Sequence, residues 1–374
     1  MENHLHIVMA ENPFPADAPN LADAYFMIKA LKTNGTRVHL HWFVESYAER
    51  SIPADFFDSI DFYEREKTKI SFSTDLPYHV STRSDKRLAA KLNEDSHPIL
   101  FFGLNTTFSV YSKSFQKDRK IAIRLSRNES AYYQDLAEIV PWRGKKIHFQ
   151  IEAWRFSNYI KRITANKITF FATPLISAFV QKIKKDSQLF TLPVFTGFPA
   201  LFHYPEKGSF CLFHGRLSNK ETAYAAFWLL EHVFNTLEIP FVIAGSDPSP
   251  ELERAAHVRS HTCLVSNPSD KEMMELIKKA QLVVNPSFIR IEENEYLNQS
   301  LSLGRHVLIN RKSTKDKKAR EICHLARTPE DFTEKAQQLF ETDFSEEEKF
   351  SRQSFLNEKF KDDEGLAMML KWLL

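Results

Sequence analysis

The chain has 374 residues, enough for two ordinary hydrophobic cores and too many for one. Its hydrophobic fraction of 43% and charged fraction of 26% exclude a disordered protein. A formal charge of +2, from 50 basic and 48 acidic residues, excludes the one-signed field that nucleic-acid binders carry. The basic clusters Lys182, Lys184, Lys185 and Lys315, Lys317, Lys318, Arg320 read as solvated faces.

No apolar run approaches the roughly 18 residues of a membrane span. The opening Met1-Glu-Asn-His-Leu-His6 lacks a basic region followed by an apolar core, so no secretory leader is expected and the compartment is read as cytoplasmic. Cys211, Cys263 and Cys323 are widely spaced and each lies in a short apolar run. They are expected to be buried and reduced, forming neither a disulfide framework nor a zinc site. Glycine is scarce at 9 residues, well below the usual share of about 7%.

In chain order, short β-branched and aromatic runs alternate with longer helical patterns, the rhythm of parallel α/β units. The first half offers strands at 5–9, 37–43, 98–102, 120–125, 168–172 and 189–194. A helix over 21–32 ends at Asn34-Gly35, a C-terminal cap signal. Further helices are expected over 84–92, 107–115 and 148–167. The stretch 195–208 holds Gly197, Pro199, Pro205 and Gly208 without periodicity and reads as a linker. Beyond it, strands at 210–213, 241–244, 263–265, 282–285 and 306–310 alternate with helices over 220–237, 270–279 and 293–303. The tail from Pro329 is helical. The expected organisation is therefore two doubly wound, Rossmann-like α/β domains facing a cleft. The first spans 1–195, a linker 196–208, the second 209–345, and terminal helices 346–374 that could cross back onto the first domain. Ligands of such sheets bind at the carboxyl ends of the strands.

The segment richest in chemistry is Leu212-Phe-His-Gly-Arg-Leu-Ser-Asn-Lys-Glu221. A strand ends at His214, Gly215 turns, and Arg216 and Lys220 stand at a helix start. Two cations at a helix N-terminus match a diphosphate, and a plain strand–helix turn with two solvated cations is the alternative. Next follow Pro240-Phe-Val-Ile-Ala-Gly-Ser-Asp-Pro248, Leu264-Val-Ser-Asn-Pro268, Asn285-Pro-Ser287 and Leu301-Ser-Leu-Gly-Arg-His-Val-Leu-Ile-Asn310. This ordered series resembles the C-terminal domain of the family-four retaining glycosyltransferases of GT-B fold, and within them a Bacteroidetes-type branch. The resemblance covers roughly 209–310 well and the first half more loosely.

That resemblance implies a metal-independent, retaining hexosyltransferase. Its donor, a UDP- or GDP-linked sugar, would bind the second domain as substrate, with no permanently bound cofactor. A glycan or lipid-linked acceptor would bind the first domain. Arg216 and Lys220 would neutralise the departing diphosphate. Gly245 would let the chain pass close to the base, and Ser287 would offer a hydroxyl or N–H. The family's two glutamates fall on Ile291 and Gln299 here; among Glu292, Glu293 and Glu295 nearby, with Glu292 and Glu295 the candidates, a shifted register could restore one carboxylate but not the pair. Other departures are the first loop, Glu11 to Asn20, which has prolines and no glycine, and Asn105, which stands where the branch has a histidine. These departures suggest the alternative of a silent relative that binds a glycan, a nucleotide or a partner protein.

On the acceptor side, Asn105, Arg124, Arg127 and Glu129 are candidates, with a helix N-cap and flanking charges the plain reading of the last three. His39 and His41 share a strand face but lack a third partner at metal-ligand spacing, so they are expected to be packed. Trp142-Arg-Gly-Lys-Lys146, with Trp154, Arg155, Lys161 and Arg162, could contact a membrane surface peripherally. The plain reading is an amphipathic helix with its aromatics packed inward. The oligomeric state is open.

Overall fold

The structure is a computed structural model that describes residues 3–10, 19–44, 56–66, 75–115, 118–184, 187–196 and 206–374. The chain divides into two units, each organised around one wholly parallel sheet. The expected proline-rich first loop lies mostly outside the described residues.

The first unit begins with β1 (His4–Met9), α1 (Pro19–Thr33), β2 (Arg37–Val44), β3 (Ser59–Glu64), α2 (Tyr78–Ser81) and α3 (Lys86–Leu92). It continues through β4 (Ile99–Phe102), a 3-10 turn Leu104–Thr106, α4 (Phe108–Tyr111), β5 (Ile121–Leu125), α5 (Glu129–Ile139), α6 (Arg143–Ile163), β6 (Thr169–Ala172), α7 (Pro174–Ile183) and β7 (Gln188–Thr191). The strand order is β3-β2-β1-β4-β5-β6-β7, so the winding reverses between β1 and β4. All four residues of β6 are buried, as expected of a strand covered on both faces. The C-terminus of α1 closes as the sequence suggests. Gly35 adopts φ +79°, its N–H bonds to Lys32 O at 2.9 Å, and Thr36 N–H reaches Leu31 O at 3.1 Å. Those two bonds make a Schellman cap, which needs a left-handed residue at this position.

The second unit runs β8 (Cys211–His214), α8 (Lys220–His232), β9 (Phe241–Gly245), α9 (Pro250–His257), β10 (Thr262–Ser266), α10 (Asp270–Lys279), β11 (Leu282–Val284) and α11 (Glu295–Leu303). Then come β12 (His306–Ile309), α12 (Lys317–Glu321), β13 (His324–Leu325), α13 (Pro329–Glu341) and α14 (Glu346–Lys359). The order is β10-β9-β8-β11-β12-β13, with its reversal between β8 and β11. The last helix, α15 (Asp362–Leu373), belongs to the first unit, where Trp372 Nε1–H donates to Thr169 Oγ1 at 3.2 Å.

Two expectations need correction. The helix expected over 107–115 is only the four-residue α4; Lys113 takes φ +53°, which ends helical propagation. Of the three cysteines only Cys211 and Cys323 are buried, because Cys263 lies on the sheet-edge strand β10 and is exposed.

Candidate functional site

In a doubly wound sheet, the chains leaving the two strands that flank the reversal diverge to opposite faces and open a crevice. In the second unit those strands are β8 and β11. The first leads into Gly215 and Arg216, the second into Asn285, Pro286 and Ser287. The candidate donor residues therefore converge on this edge.

Gly215 and Gly245 interlock there. A Cβ on Gly245 would lie 1.8 Å from Gly215 O, and one on Gly215 would lie 2.7 Å from the Thr222 methyl. Gly245 is thus needed for the close approach of two strand ends, a packing reason that differs from the expected passage of a nucleotide base. Leu217 N–H bonds to Ser246 O at 2.9 Å and completes the tie.

Arg216 is half-buried and Lys220, the first residue of α8, is exposed. The helix N-cap, Asn219, makes no side-chain capping bond. Helix N-terminal N–H groups together with these cations favour an anion. Glu221 in the first turn opposes it. Tyr296, on α11, accepts the Arg216 backbone N–H at 2.7 Å. Its half-buried ring packs against Gly215, and desolvation pushes its phenol above the usual range, so it stays neutral. His214 is buried beneath, and its Nε2 lies 2.9 Å from Ser300 Oγ. Ser300 donates its own proton to Tyr296 O, so His214 must donate to it and is the Nε2–H tautomer. Burial lowers His214 to about 4, which keeps it uncharged.

The β11 side is organised by Asn310, which the sequence reading did not single out. Its Oδ1 accepts Ser287 N–H at 3.1 Å and Ser313 N–H at 3.2 Å, while its Nδ2 donates to Ser287 O at 2.8 Å. The Ser287 hydroxyl donates to Ile289 O at 2.7 Å. Both donors of Ser287 are therefore engaged internally, correcting the expectation that one is offered to the donor. Next to it, Asn285 Nδ2 is buried without a hydrogen-bond partner among the described residues. It is the better candidate, since an orphaned buried amide is costly unless a ligand or water satisfies it.

Glu292 is 2% exposed and pairs with Lys315 at 2.7 Å, so its charge is compensated by a lysine from a cluster expected to be solvated. Glu295 opens α11 as a half-buried carboxylate. Ile291 and Gln299 leave this turn without a carboxylate pair at eight-residue spacing.

In the first unit the equivalent reversal lies between β1 and β4. Gly103, at φ +74°, ends β4 and begins the 3-10 turn that carries Asn105. Asn105 Oδ1 is buried and has no hydrogen-bond partner among the described residues, so it offers an acceptor there. Arg124 does not face a ligand. It is 2% exposed and bonds Asp23 at 2.8 and 2.9 Å, Leu192 O at 3.0 Å and Pro193 O at 2.8 Å. An arginine on a buried strand needs internal partners, and here it finds four acceptor contacts. Arg127 pairs with Glu129 at 3.0 Å and lies 3.9 Å over the Tyr132 ring, while Asn128 caps α5. This is the plain N-cap arrangement for Arg127 and Glu129, whereas Arg124 is a buried tie and takes no part in it.

His39 and His41 are packed within a cross-strand stack. His4 Nδ1 meets His39 Nε2 at 3.0 Å, His6 Nδ1 meets His41 Nε2 at 2.8 Å, and His6 pairs with Asp95 at 2.9 Å. On α6, Phe149, Phe156 and Tyr159 pack inward as expected, but Trp142 and Trp154 are 65% and 58% exposed. The inward reading fails for Trp154 because it stands on the same outer face as Arg143, Ile147 and Lys161, and for Trp142 because it is the extended N-cap residue before the helix.

No protein-family model and no curated sequence matches the chain. Solved structures do match over its whole length. Sucrose-phosphate synthase from Thermosynechococcus elongatus superposes with a TM-score of 0.72 at 11% identity, covering 99% of this chain and 98% of that one. TarM from S. aureus, in a complex that includes UDP and fondaparinux, gives 0.67 at 9% identity over 99% of both chains. A glycosyltransferase from Rickettsia africae gives 0.62 at 10% identity, covering 100% of this chain and 98% of that one. The chain is an α/β protein with the fold of the GT-B glycosyltransferases. No helix among the described residues is long and apolar enough to cross a membrane.

Proposed function

We propose that this protein is a glycosyltransferase that takes a sugar from a UDP- or GDP-linked donor and passes it, with retention, to a glycan or lipid-linked acceptor. One observation carries the reading. Gly215–Arg216 and Asn285–Ser287 leave adjacent parallel strands at the reversal of the second sheet, with Lys220 the first residue of the following helix. A diphosphate held there would meet two cations and a helix N-terminus, which supply charge where the leaving group develops it. Asn285 Nδ2 would find its missing acceptor in a donor oxygen. Asn105 would receive a hydroxyl of the acceptor, whose side of the reaction belongs to the first unit. The exposed Trp142, Ile147 and Trp154, with Arg143, Lys145 and Lys146 beside them, would rest on an anionic bilayer and bring the protein to a lipid-linked acceptor.

A second reading, a relative that binds without transferring, draws support from Tyr296, which occupies the Arg216 N–H, and from Lys315, which compensates Glu292. Incubation with UDP- and GDP-sugars, followed by chromatography for released nucleoside diphosphate, separates the two. Turnover that falls at least about tenfold in Arg216→Ala supports transfer. Binding with no release from any donor, with acceptor mixtures present, favours the second reading.

A further inference from the structure

The donor-site turns lie at the carboxyl ends of the strands in the second unit. At the opposite, amino end of the same sheet three ligand-type atoms converge. His306 opens β12, His324 opens β13, and Glu348 is the third residue of α14. His306 Nδ1 lies 3.3 Å from His324 Nε2 and 3.4 Å from Glu348 Oε1, and His324 Nε2 lies 3.4 Å from the same oxygen. The three atoms form a nearly equilateral triangle. Tetrahedral zinc, with Zn–N about 2.0–2.1 Å and Zn–O about 2.0–2.2 Å, sets its ligands about 3.3–3.5 Å apart. The triangle has the size of one face of that tetrahedron.

The surrounding bonds fix which atoms face inward. His306 Nε2 lies 3.1 Å from Thr342 O. A carbonyl only accepts, so Nε2 carries the proton and Nδ1 presents a lone pair. Glu348 Oε2 accepts Ser345 N–H at 2.9 Å and Ser345 Oγ–H at 2.8 Å in a capping box, leaving Oε1 turned to the histidines. Two acceptor atoms therefore face each other at 3.4 Å, along with the His324 nitrogen. A single proton on His324 can serve one of them at a time; a cation serves all three. Orientation of His306 by a carbonyl and of Glu348 by a backbone N–H is the usual outer shell of a metal site.

His306 is buried, while the His324 and Glu348 side chains are 32% and 33% exposed. An ion can thus enter from solvent and keep a water as fourth ligand. Arg352, one turn further along α14, opposes a cation electrostatically. Its guanidinium is drawn toward Gly304 O, at 2.9 Å, and Arg305 O, and it stacks at 4.6 Å over Phe344. Two neutral nitrogens and one carboxylate suit zinc better than magnesium or calcium, which take oxygen ligands.

We propose that His306, His324 and Glu348 bind one zinc ion that clips the two-residue edge strand β13 and the start of α14 onto β12. The ligands are 18 and 24 residues apart in sequence and fit no local motif. The role is structural, since the site is at the far end of the sheet from the Gly215 turn.

The test uses tag-free full-length protein, stripped with a chelator, desalted and titrated with zinc chloride in a calorimeter. The expected result is one equivalent bound, a melting midpoint raised by several degrees, and visible ligand-field absorption typical of tetrahedral geometry when cobalt replaces zinc. Glu348→Gln keeps the capping box, which glutamine also supports, and removes the carboxylate ligand. His324→Gln removes the half-exposed imidazole. Each is expected to weaken zinc binding at least tenfold while leaving the metal-free melting midpoint within about two degrees of wild type. Zinc uptake well below one equivalent, or binding unchanged in both variants, overturns the proposal. The first result would leave a hydrogen-bonded trio sharing one proton. The second would place the ion elsewhere.

Discussion

Replacing Asp23 by alanine tests the reassignment of Arg124 from ligand contact to structural tie. Asp23 and Arg124 side chains are 4% and 1% exposed. Besides its two bonds to Arg124, Asp23 Oδ1 accepts Phe195 N–H at 2.9 Å, so one carboxylate joins α1, β5 and the segment after β7. Asp23→Ala strands a buried guanidinium, a loss of about 3–5 kcal/mol in comparable cases. It also orphans the Phe195 N–H, worth about 1–3 kcal/mol, part of which overlaps the first term because water can enter the vacated space. A net loss of about 4 kcal/mol shifts the melting of a unit of this size by about 8–16 °C. The double variant Asp23→Ala/Arg124→Met removes both charges and should recover at least half of the loss. Urea unfolding followed by tryptophan fluorescence suits the question, because Trp42, Trp142, Trp154 and Trp372 lie in the first unit and only Trp228 in the second. A loss under about 1 kcal/mol, or a double variant no better than the single one, refutes the reasoning.

Three further outcomes follow from particular contacts. Burial lowers His6 to about 4, His41 to about 3 and His214 to about 4, so below the ordinary histidine value the unfolded chain binds more protons than the folded one. Stability should therefore be full above about pH 6.5 and fall between there and about pH 4, by up to about 1.4 kcal/mol per histidine per pH unit; urea midpoints that stay level from pH 7 to pH 5 contradict this. Gly245→Ala forces a methyl into the Gly215 carbonyl and should cost about 3 kcal/mol or more, together with any nucleotide binding; an unchanged midpoint would show that the two turns do not interlock. Trp154→Ala should reduce sedimentation with anionic vesicles severalfold without moving the melting midpoint, since the side chain is 58% exposed; equal sedimentation removes the membrane contact from the proposal.

The sequence reading captured the elements whose signal is local. Central strands such as β4 and β9 are runs of apolar residues that a doubly covered sheet demands, and the Gly35 cap and the helix α10 are visible from their turn and periodicity signals. The strand β3 was missed because its exposed and half-buried positions, Ser59, Asp61 and Glu64 among them, give an edge strand no continuous apolar run. Two residues, as in β13, are too few to show any period. In the candidate site, Gly215 and Gly245 stood out in a chain with so little glycine. Asn310, Tyr296 and Lys315 did not, because their roles depend on partners 23, 80 and 23 residues away. The same non-locality explains Arg124, whose charge suggested a ligand while its partner Asp23 lies 101 residues earlier.

The central claim, that the turn after β8 receives a nucleoside diphosphate, is tested most directly by calorimetric titration of the full chain with UDP and with GDP. The account predicts saturable binding of one of them, weakened at least tenfold, or about 1.4 kcal/mol, in Arg216→Ala. Absence of binding by both nucleotides at millimolar concentration, or equal affinity in the variant, would contradict it.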